Sequence, residues 1–383
     1  PDSPLVRGWP ALPPKFLPMK KNTLPVFLSV ISLLGCAPAQ PVPFSALAGS
    51  QAAANADPGD RRSPVQVIPV PTNEVSPHVQ ALIAAPYPAH FNAAPKTAAE
   101  WKELVARRAA PTVAAFPALK EKLGVTVEST RIAGVPAYIV TPRSIAPRNR
   151  DRLLFHIHGG GYVFGPGEAG LTEALLMASY GGFKVVSVDY RMPPDHPYPA
   201  AMDDAVAVWK ELIKTNDPRN MAVFGTSTGG AMTLALVLRA KDEKLPLPAA
   251  IAPGTPWADI AKIGDTYETN EWIDNILVTW DGWLGRAALL YANGHDLRDP
   301  QLSPVYGDFS GFPPTLLTSG TRDLFLSCTV RTHRKLRRAG VVADLHVYEG
   351  QSHAQYLFDP DAPETREAFG EIAAFFDRHL GTR

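Results

Sequence analysis

The sequence predicts an α/β fold in which a mostly parallel central sheet is covered by helices on both faces. Three observations carry this reading. Short apolar runs recur at 153–157, 185–188, 221–224, 249–252, 315–319 and 344–347. Helical patterns fall between them, near 168–180, 200–214, 228–240, 329–339 and 365–380. Two glycine-rich motifs sit directly behind two of the apolar runs. Runs that are apolar throughout belong to strands buried on both sides, and alternation with helices makes the sheet parallel.

The bulk numbers agree. A chain of 383 residues allows one large α/β domain with an insertion, or two domains, and 45% hydrophobic content supports a sizeable core. Lys and Arg together number 37, as do Asp and Glu, so there is no electrostatic footprint for nucleic acid.

From the N-terminus, residues 1–18 resemble neither signal nor core and stand outside the fold reading. Residues 19–36 begin Met19-Lys20-Lys21, continue apolar, and end Leu33-Leu34-Gly35-Cys36. The apolar part is too short to span a bilayer as a helix. The segment resembles a bacterial lipoprotein signal, with Cys36 as the lipid attachment site; an ordinary cleaved secretory signal, or merely an apolar N-terminus, is the alternative. Either signal implies export, and lipidation implies a membrane tether at the cell envelope. Residues 37–75, rich in Ala, Pro, Ser and Asp, read as a flexible tether. Cys328 then lacks a partner within the exported chain and reads as a small buried hydrophobe.

Residues 76–123 read as N-terminal helices, cut into short pieces by Pro86, Pro88, Pro95, Pro111 and Pro117. Residues 125–131 and 135–141 alternate as a hairpin around Ala133-Gly134. The catalytic domain is placed at 124–383. Within it the stretch from about 258 to 300, with Trp272, Trp280, Trp283 and Tyr291, breaks the α/β rhythm. It reads as an insertion that joins the 76–123 helices in a cap. Tyr162, Trp257 and Trp280 are the candidate substrate-binding residues.

The chemistry lies in the two glycine motifs. His158-Gly159-Gly160-Gly161 follows the 153–157 run, and Gly225-Thr226-Ser227-Thr228-Gly229 follows 221–224. Chance gives a Gly-x-Ser-x-Gly in roughly one chain in ten, but a His-Gly-Gly-Gly in fewer than about one in a hundred. Backbone N–H groups of Gly159, Gly160 and Thr228 suit a developing oxyanion, and Gly161 leaves that loop uncrowded. The His158 ring is expected to hold the loop by hydrogen bonds. Ser227, on a tight strand-to-helix turn, reads as the nucleophile. A serine hydroxyl needs a base, and the base needs an orienting acid. Asp323 and His353 follow in the right order, each just past a strand. Glu349 and Asp359 are rival acids. His295, His333, His346 and His379 fall in the insertion, in a helix, in a strand and near the C-terminus.

These segments, with Asp189-Tyr190-Arg191 and Pro197-Tyr198-Pro199-Ala200, make the chain resemble the hormone-sensitive-lipase-like (bacterial family IV) esterases of the α/β-hydrolase fold. The resemblance covers roughly 120–380. It implies a capped catalytic domain and hydrolysis of small carboxylic esters, usually short-chain, with no cofactor and no metal. An amidase or peptidase using the same residues is the alternative, and a non-catalytic small-molecule receptor a further one. Some positions depart from the family pattern. Thr226 and Thr228 stand where Asp and Ala are frequent, and Leu324 and Ser327 where Pro and a second Asp are frequent. Members resembling this variant include lactone hydrolases.

Overall fold

The computed structural model describes residues 67–381. Cys36, the signal-like stretch and most of the 37–75 tether lie outside the described residues. Residues 67–75 dock on the domain, although their composition placed them in the tether. Val70 and Val75 pack against Val79, Ile83 and Ala362, and Arg322 Nη2 donates to the Pro69 carbonyl.

Two helices follow, α1 (Pro77–Ala84) and α2 (Ala98–Leu123). The Ser76 hydroxyl accepts the Val79 N–H at the start of α1. A capping box starts α2: the Thr97 hydroxyl accepts the Glu100 N–H, and Glu100 reaches back to the Thr97 N–H. Gly124, with φ 63°, ends it. Pro111 and Pro117 do not break α2, contrary to the sequence expectation. Both prolines are exposed, while Trp101, Leu104, Phe116 and Leu123 anchor the opposite face. The carbonyls freed by the missing N–H groups belong to exposed Arg107 and Val113, where water can serve them.

The sheet begins with the hairpin β1 (Val125–Ile132) and β2 (Val135–Pro142). Then β3 (Leu153–Ile157), α3 (Thr172–Leu176), β4 (Lys184–Val188), α4 (Ala200–Leu212), β5 (Met221–Thr226), α5 (Thr228–Asp242) and β6 (Ala250–Gly254) alternate as expected. The helix expected over 168–180 is divided, with α3 passing into a wide π turn over Met177–Gly181. After β6 comes a long segment holding α6 (Thr266–Thr269) and α7 (Trp283–Ala292), and then β7 (Thr315–Gly320), α8 (Leu326–Arg338), β8 (Ala343–Tyr348) and α9 (Pro363–His379). The strand order is β1-β2-β4-β3-β5-β6-β7-β8. Pairings are antiparallel at β1/β2 and β2/β4 and parallel beyond.

Every residue of β3, β5, β6 and β7 is buried. Successive side chains divide between two cores. Phe155, Val223, Ile251 and Leu317 pack on one face; Leu154, Ala222, Ala252 and Leu316 pack on the other. This is why the runs read as continuous rather than alternating.

The insertion fills the whole gap between β6 and β7, residues 255–314, more than the expected 258–300. Fully buried Asp259 ties it to α8 by accepting from Arg331 Nη1 at 2.7 Å, and it also accepts the Tyr306 hydroxyl at 2.7 Å. The insertion also bonds the N-terminal segment. Trp283 N–H donates to the Phe91 carbonyl at 3.1 Å, and Asn275 Nδ2 donates to the Leu82 carbonyl at 2.8 Å. The cap is therefore one unit made from two distant stretches of chain.

The β1–β2 turn places Ala133 at φ 51° and Gly134 at φ 79°. Positive φ at both positions matches the twist of the strands, but an alanine there is strained. Exposed Ala133 should therefore gain from replacement by a residue that tolerates this region. Ala133→Asn is expected to raise unfolding stability by about 1 kcal/mol, read by chemical denaturation.

Candidate active site

Strand β5 ends at Thr226 and α5 begins at Thr228, so Ser227 alone makes the turn, with φ 65° and ψ −121°. Such a backbone costs of order 1–3 kcal/mol for a non-glycine residue. The surroundings hold it there. Ser227 N–H donates to the Gly254 carbonyl at 2.9 Å, and its carbonyl accepts from Ala231 and Trp257, each at 3.0 Å. The neighbouring glycines are there because β3 comes so close. A Cβ on Gly225 or Gly229 would lie 2.1 or 2.0 Å from the Ile157 carbonyl oxygen. That oxygen is backbone and cannot move aside.

The glycine loop leaves the adjacent end of β3. Gly160 has φ 116°, and a Cβ there would lie 2.2 Å from the Phe164 carbonyl oxygen. The Gly159 and Gly160 amides donate to no acceptor among the described residues. As the first residue of α5, Thr228 has no intrahelical acceptor either, and the helix N-terminus adds partial positive charge there. Buried His158 holds the loop from behind, as the sequence suggests. Its Nδ1–H donates to the Gly159 carbonyl at 2.8 Å, and its ring stacks on Tyr190 at 4.1 Å. Tyr190 in turn donates its hydroxyl proton to the His158 carbonyl at 2.9 Å.

Past β7 and β8, Asp323 and His353 meet. His353 Nδ1 lies 3.0 Å from Asp323 Oδ1 and 3.0 Å from the Thr255 hydroxyl. The Asp323 carboxylate also accepts the Phe325 N–H at 2.8 Å and the Ser319 hydroxyl at 2.7 Å. His353 Nε2 is buried and has no hydrogen-bond partner among the described residues. The rivals are engaged elsewhere. Asp359 bonds His78 at 2.7 Å, and Glu349 faces Arg322. His333 reaches the Ala343 carbonyl, His346 pairs with Glu371, His295 lies against Tyr198 and His379 against Phe375.

Ser227, His353 and the glycines 159–161 line one cavity of about 580 Å³. Pro88, His90, Arg108 and Thr112 form its wall from the N-terminal segment; Ile276, Leu277 and Trp283 form it from the insertion; Phe164, Leu357 and Phe358 complete the apolar part. Burial, followed by the charges of Arg108 and Arg107, pulls His90 down to about 4.

The three expected pocket residues are not in that wall. Tyr162 turns at φ 65° and buries its ring against Tyr291 at 3.7 Å. Trp257 is fully buried, stacked on Phe325, with Nε1–H donated to Tyr267. Trp280 lies against Gly285, where a Cβ would be 2.6 Å from its ring. Cys328 is buried as expected, and burial pushes its thiol up to about 12.

Sequence reasoning missed two carboxylates. Glu173, on α3, accepts the Thr226 N–H at 3.0 Å and the Thr226 hydroxyl at 2.7 Å. It explains why threonine suits the position before the serine. Asp274, in the insertion, bonds the backbone beside Asp323 and His353. No motif marks either; each reaches the site only through the fold.

The model of the α/β-hydrolase fold family matches residues 154–357, more than half of the chain. A solved structure titled esterase E25 superposes with a TM-score of 0.81 at 45% identity, covering 84% of this chain and 99% of that one. An esterase of the bacterial hormone-sensitive lipase family superposes with a TM-score of 0.64 at 27% identity, covering 75% of this chain and 100% of that one. The chain belongs to the hormone-sensitive-lipase-like esterases of the α/β-hydrolase fold. An acetyl-hydrolase of Streptomyces hygroscopicus is 31% identical over 63% of this chain and 81% of its own length. An esterase of Acinetobacter venetianus is 29% identical over 66% of this chain and 82% of its own length. In this hormone-sensitive-lipase-like chain the glycine loop, the serine turn and the Asp323–His353 pair all fall within the matched region.

His158 gives the site a pH signature. Burial pulls its imidazole down to about 4 from an ordinary 6.5. The native state therefore excludes a proton that the unfolded chain binds between those values. Its contribution is fully present above about pH 6.5 and is lost as pH falls through about 4, on the order of 3 kcal/mol in all. His158→Gln should flatten the loss of stability across that window, measured by denaturant unfolding at graded pH.

Proposed function

We propose that this enzyme hydrolyses small carboxylic esters, short-chain acyl esters or lactones, with Ser227 as nucleophile, His353 as base and Asp323 as orienting acid. One observation carries the reading: His353, paired with Asp323 at 3.0 Å through Nδ1 and with Nε2 unpartnered among the described residues, lines the same cavity as Ser227 and the glycine loop. The relatives named esterase and acetyl-hydrolase support it.

In this mechanism His353 Nε2 takes the Ser227 proton as Oγ attacks the ester carbonyl. The carbonyl oxygen becomes an oxyanion, held by the amides of Gly159, Gly160 and Thr228. Each such donor is worth about 3–4 kcal/mol to the transition state. The imidazolium returns its proton to the departing alkoxide, leaving an acyl-serine. Water, deprotonated by the same imidazole, attacks the acyl carbonyl; as the acyl–Oγ bond breaks the imidazolium returns its proton to Ser227 Oγ and the acid leaves. Asp323 holds the ring in the tautomer that leaves Nε2 free to accept. The cavity size and the apolar wall of Phe164, Leu277 and Trp283 favour acyl chains up to about eight carbons.

Export and lipid attachment at Cys36 belong to the same proposal. Its support is the basic start at Met19, the apolar run and Leu33-Leu34-Gly35-Cys36. The enzyme is then a membrane-tethered lipoprotein of the bacterial envelope, facing the periplasm or the exterior.

A panel of p-nitrophenyl esters and lactones of graded size tests the activity. Ser227→Ala should lose at least about 10⁴-fold in kcat while keeping its fold, and wild type should take up one equivalent of a fluorophosphonate. Full activity in that variant, or faster turnover of long-chain emulsions, contradicts the proposal. Labelled palmitate tests the anchor in cells expressing the full chain: the label should appear in wild type and be absent from Cys36→Ala. Equal labelling of the two refutes the lipidation site.

A further inference from the structure

Asp274 lies in the insertion and is fully buried. Its Oδ1 accepts the N–H groups of Ile276 at 2.8 Å and Leu277 at 3.1 Å. Its Oδ2 accepts the Leu324 N–H at 2.8 Å and faces the His353 N–H at 3.4 Å. The carboxylate thus touches three separate segments: the cap turn whose Ile276 and Leu277 line the cavity, the residue directly after Asp323, and His353 itself. Among the described residues no Lys or Arg pairs with it. The titratable groups that face it are Asp323 from the acid loop and His353 from the base loop.

Its neighbour Asn275 strengthens the junction without charge. Asn275 N–H donates to the Ser352 hydroxyl at 3.2 Å, and its Nδ2 donates to the Leu82 and Ala85 carbonyls. Its Oδ1 accepts from Gln355 Nε2 at 2.9 Å. Both halves of the cap and the loop carrying His353 therefore converge on residues 274–275.

We propose that Asp274 is a positioning residue for the reaction: it locks the acid loop, the base loop and the cap turn in one arrangement, and its negative charge supports the imidazolium that forms on His353. The proposal rests on the triad reading above.

A second anion beside Asp323 is costly unless its charge is used. Burial and the Asp323 charge hold the Asp274 carboxyl above the usual carboxylate range, while His353 draws it back. The attraction to His353 is greatest when the ring is protonated, which on this mechanism happens during the attack. A simple brace does not require a charge there. Asn275 shows that neutral groups can bridge the same loops. Asp274 differs in that both of its oxygens accept, so an amide in its place turns an NH₂ toward backbone N–H donors.

The test compares pH profiles of kcat and KM on p-nitrophenyl butyrate for wild type, Asp274→Asn, Asp274→Glu and Asn275→Ala. Asp274→Asn should lower kcat about 10- to 100-fold with KM nearly unchanged. It should also move the acid limb of kcat/KM down by about one pH unit, because a negative charge near the ring has been removed. Asp274→Glu, which keeps the charge but displaces it, should lower kcat and leave the limb in place. Asn275→Ala should loosen the cap, with no movement of the limb. A limb that stays put in Asp274→Asn reduces Asp274 to a brace and overturns the proposal. So does a kcat within twofold of wild type. If neither Asp274 variant folds, the wild-type profile decides. Its acid limb should fall more steeply than one proton allows, and a single-proton slope overturns the proposal. Fluorophosphonate uptake separates the two levels: failure of wild type to take up one equivalent at Ser227 removes the triad reading itself, whatever the Asp274 variants do.

Discussion

The active site depends on how closely the ends of two neighbouring strands approach. The last carbonyl of β3, on Ile157, comes so near the serine turn that no Cβ fits at Gly225 or Gly229. That contact puts the glycine loop beside Ser227, whose conformation, one that an isolated chain would avoid, is held by its own backbone hydrogen bonds to Gly254, Ala231 and Trp257. Without it the loop amides and the serine are merely neighbours in a sheet. With it they share one cavity.

A second arrangement surrounds the first. His353 comes from a loop after β8, Asp323 from a loop after β7, and the cap from two stretches almost 200 residues apart. Buried polar groups bind them together because apolar packing alone does not set a direction. Asp323 receives donors from His353, Phe325 and Ser319. Glu173 braces Thr226 from beneath. Where the family often carries an acid inside the serine turn, this chain supplies one from α3, and the Thr226 hydroxyl reaches it.

The places where the sequence misled share a physical cause. Pro111 and Pro117 are strong breakers by local chemistry, yet α2 runs through them because both face water and the opposite side is anchored. Residues 67–75 have the composition of a linker, but a few valines suffice to dock them. Tyr162, Trp257 and Trp280 drew attention as large aromatics near the motifs. These three pack against other aromatics or a neighbouring helix, while Phe164, Trp283, Ile276 and Leu277 face the cavity.

By itself the sequence determined the α/β alternation of strands and helices, the serine turn and the glycine loop, and it marked Asp323 and His353 as candidates. These are local matters: continuous apolar runs, glycines where no side chain fits, and a polar residue just past a strand end. Only the tertiary structure decided which residues wall the cavity, how two separate segments join into one cap, and that Glu173 and Asp274 stand at the site. The cap is joined by contacts across about 190 positions of chain and the two carboxylates by contacts across 50 to 79, and a buried carboxylate carries no mark in sequence until its donors are known.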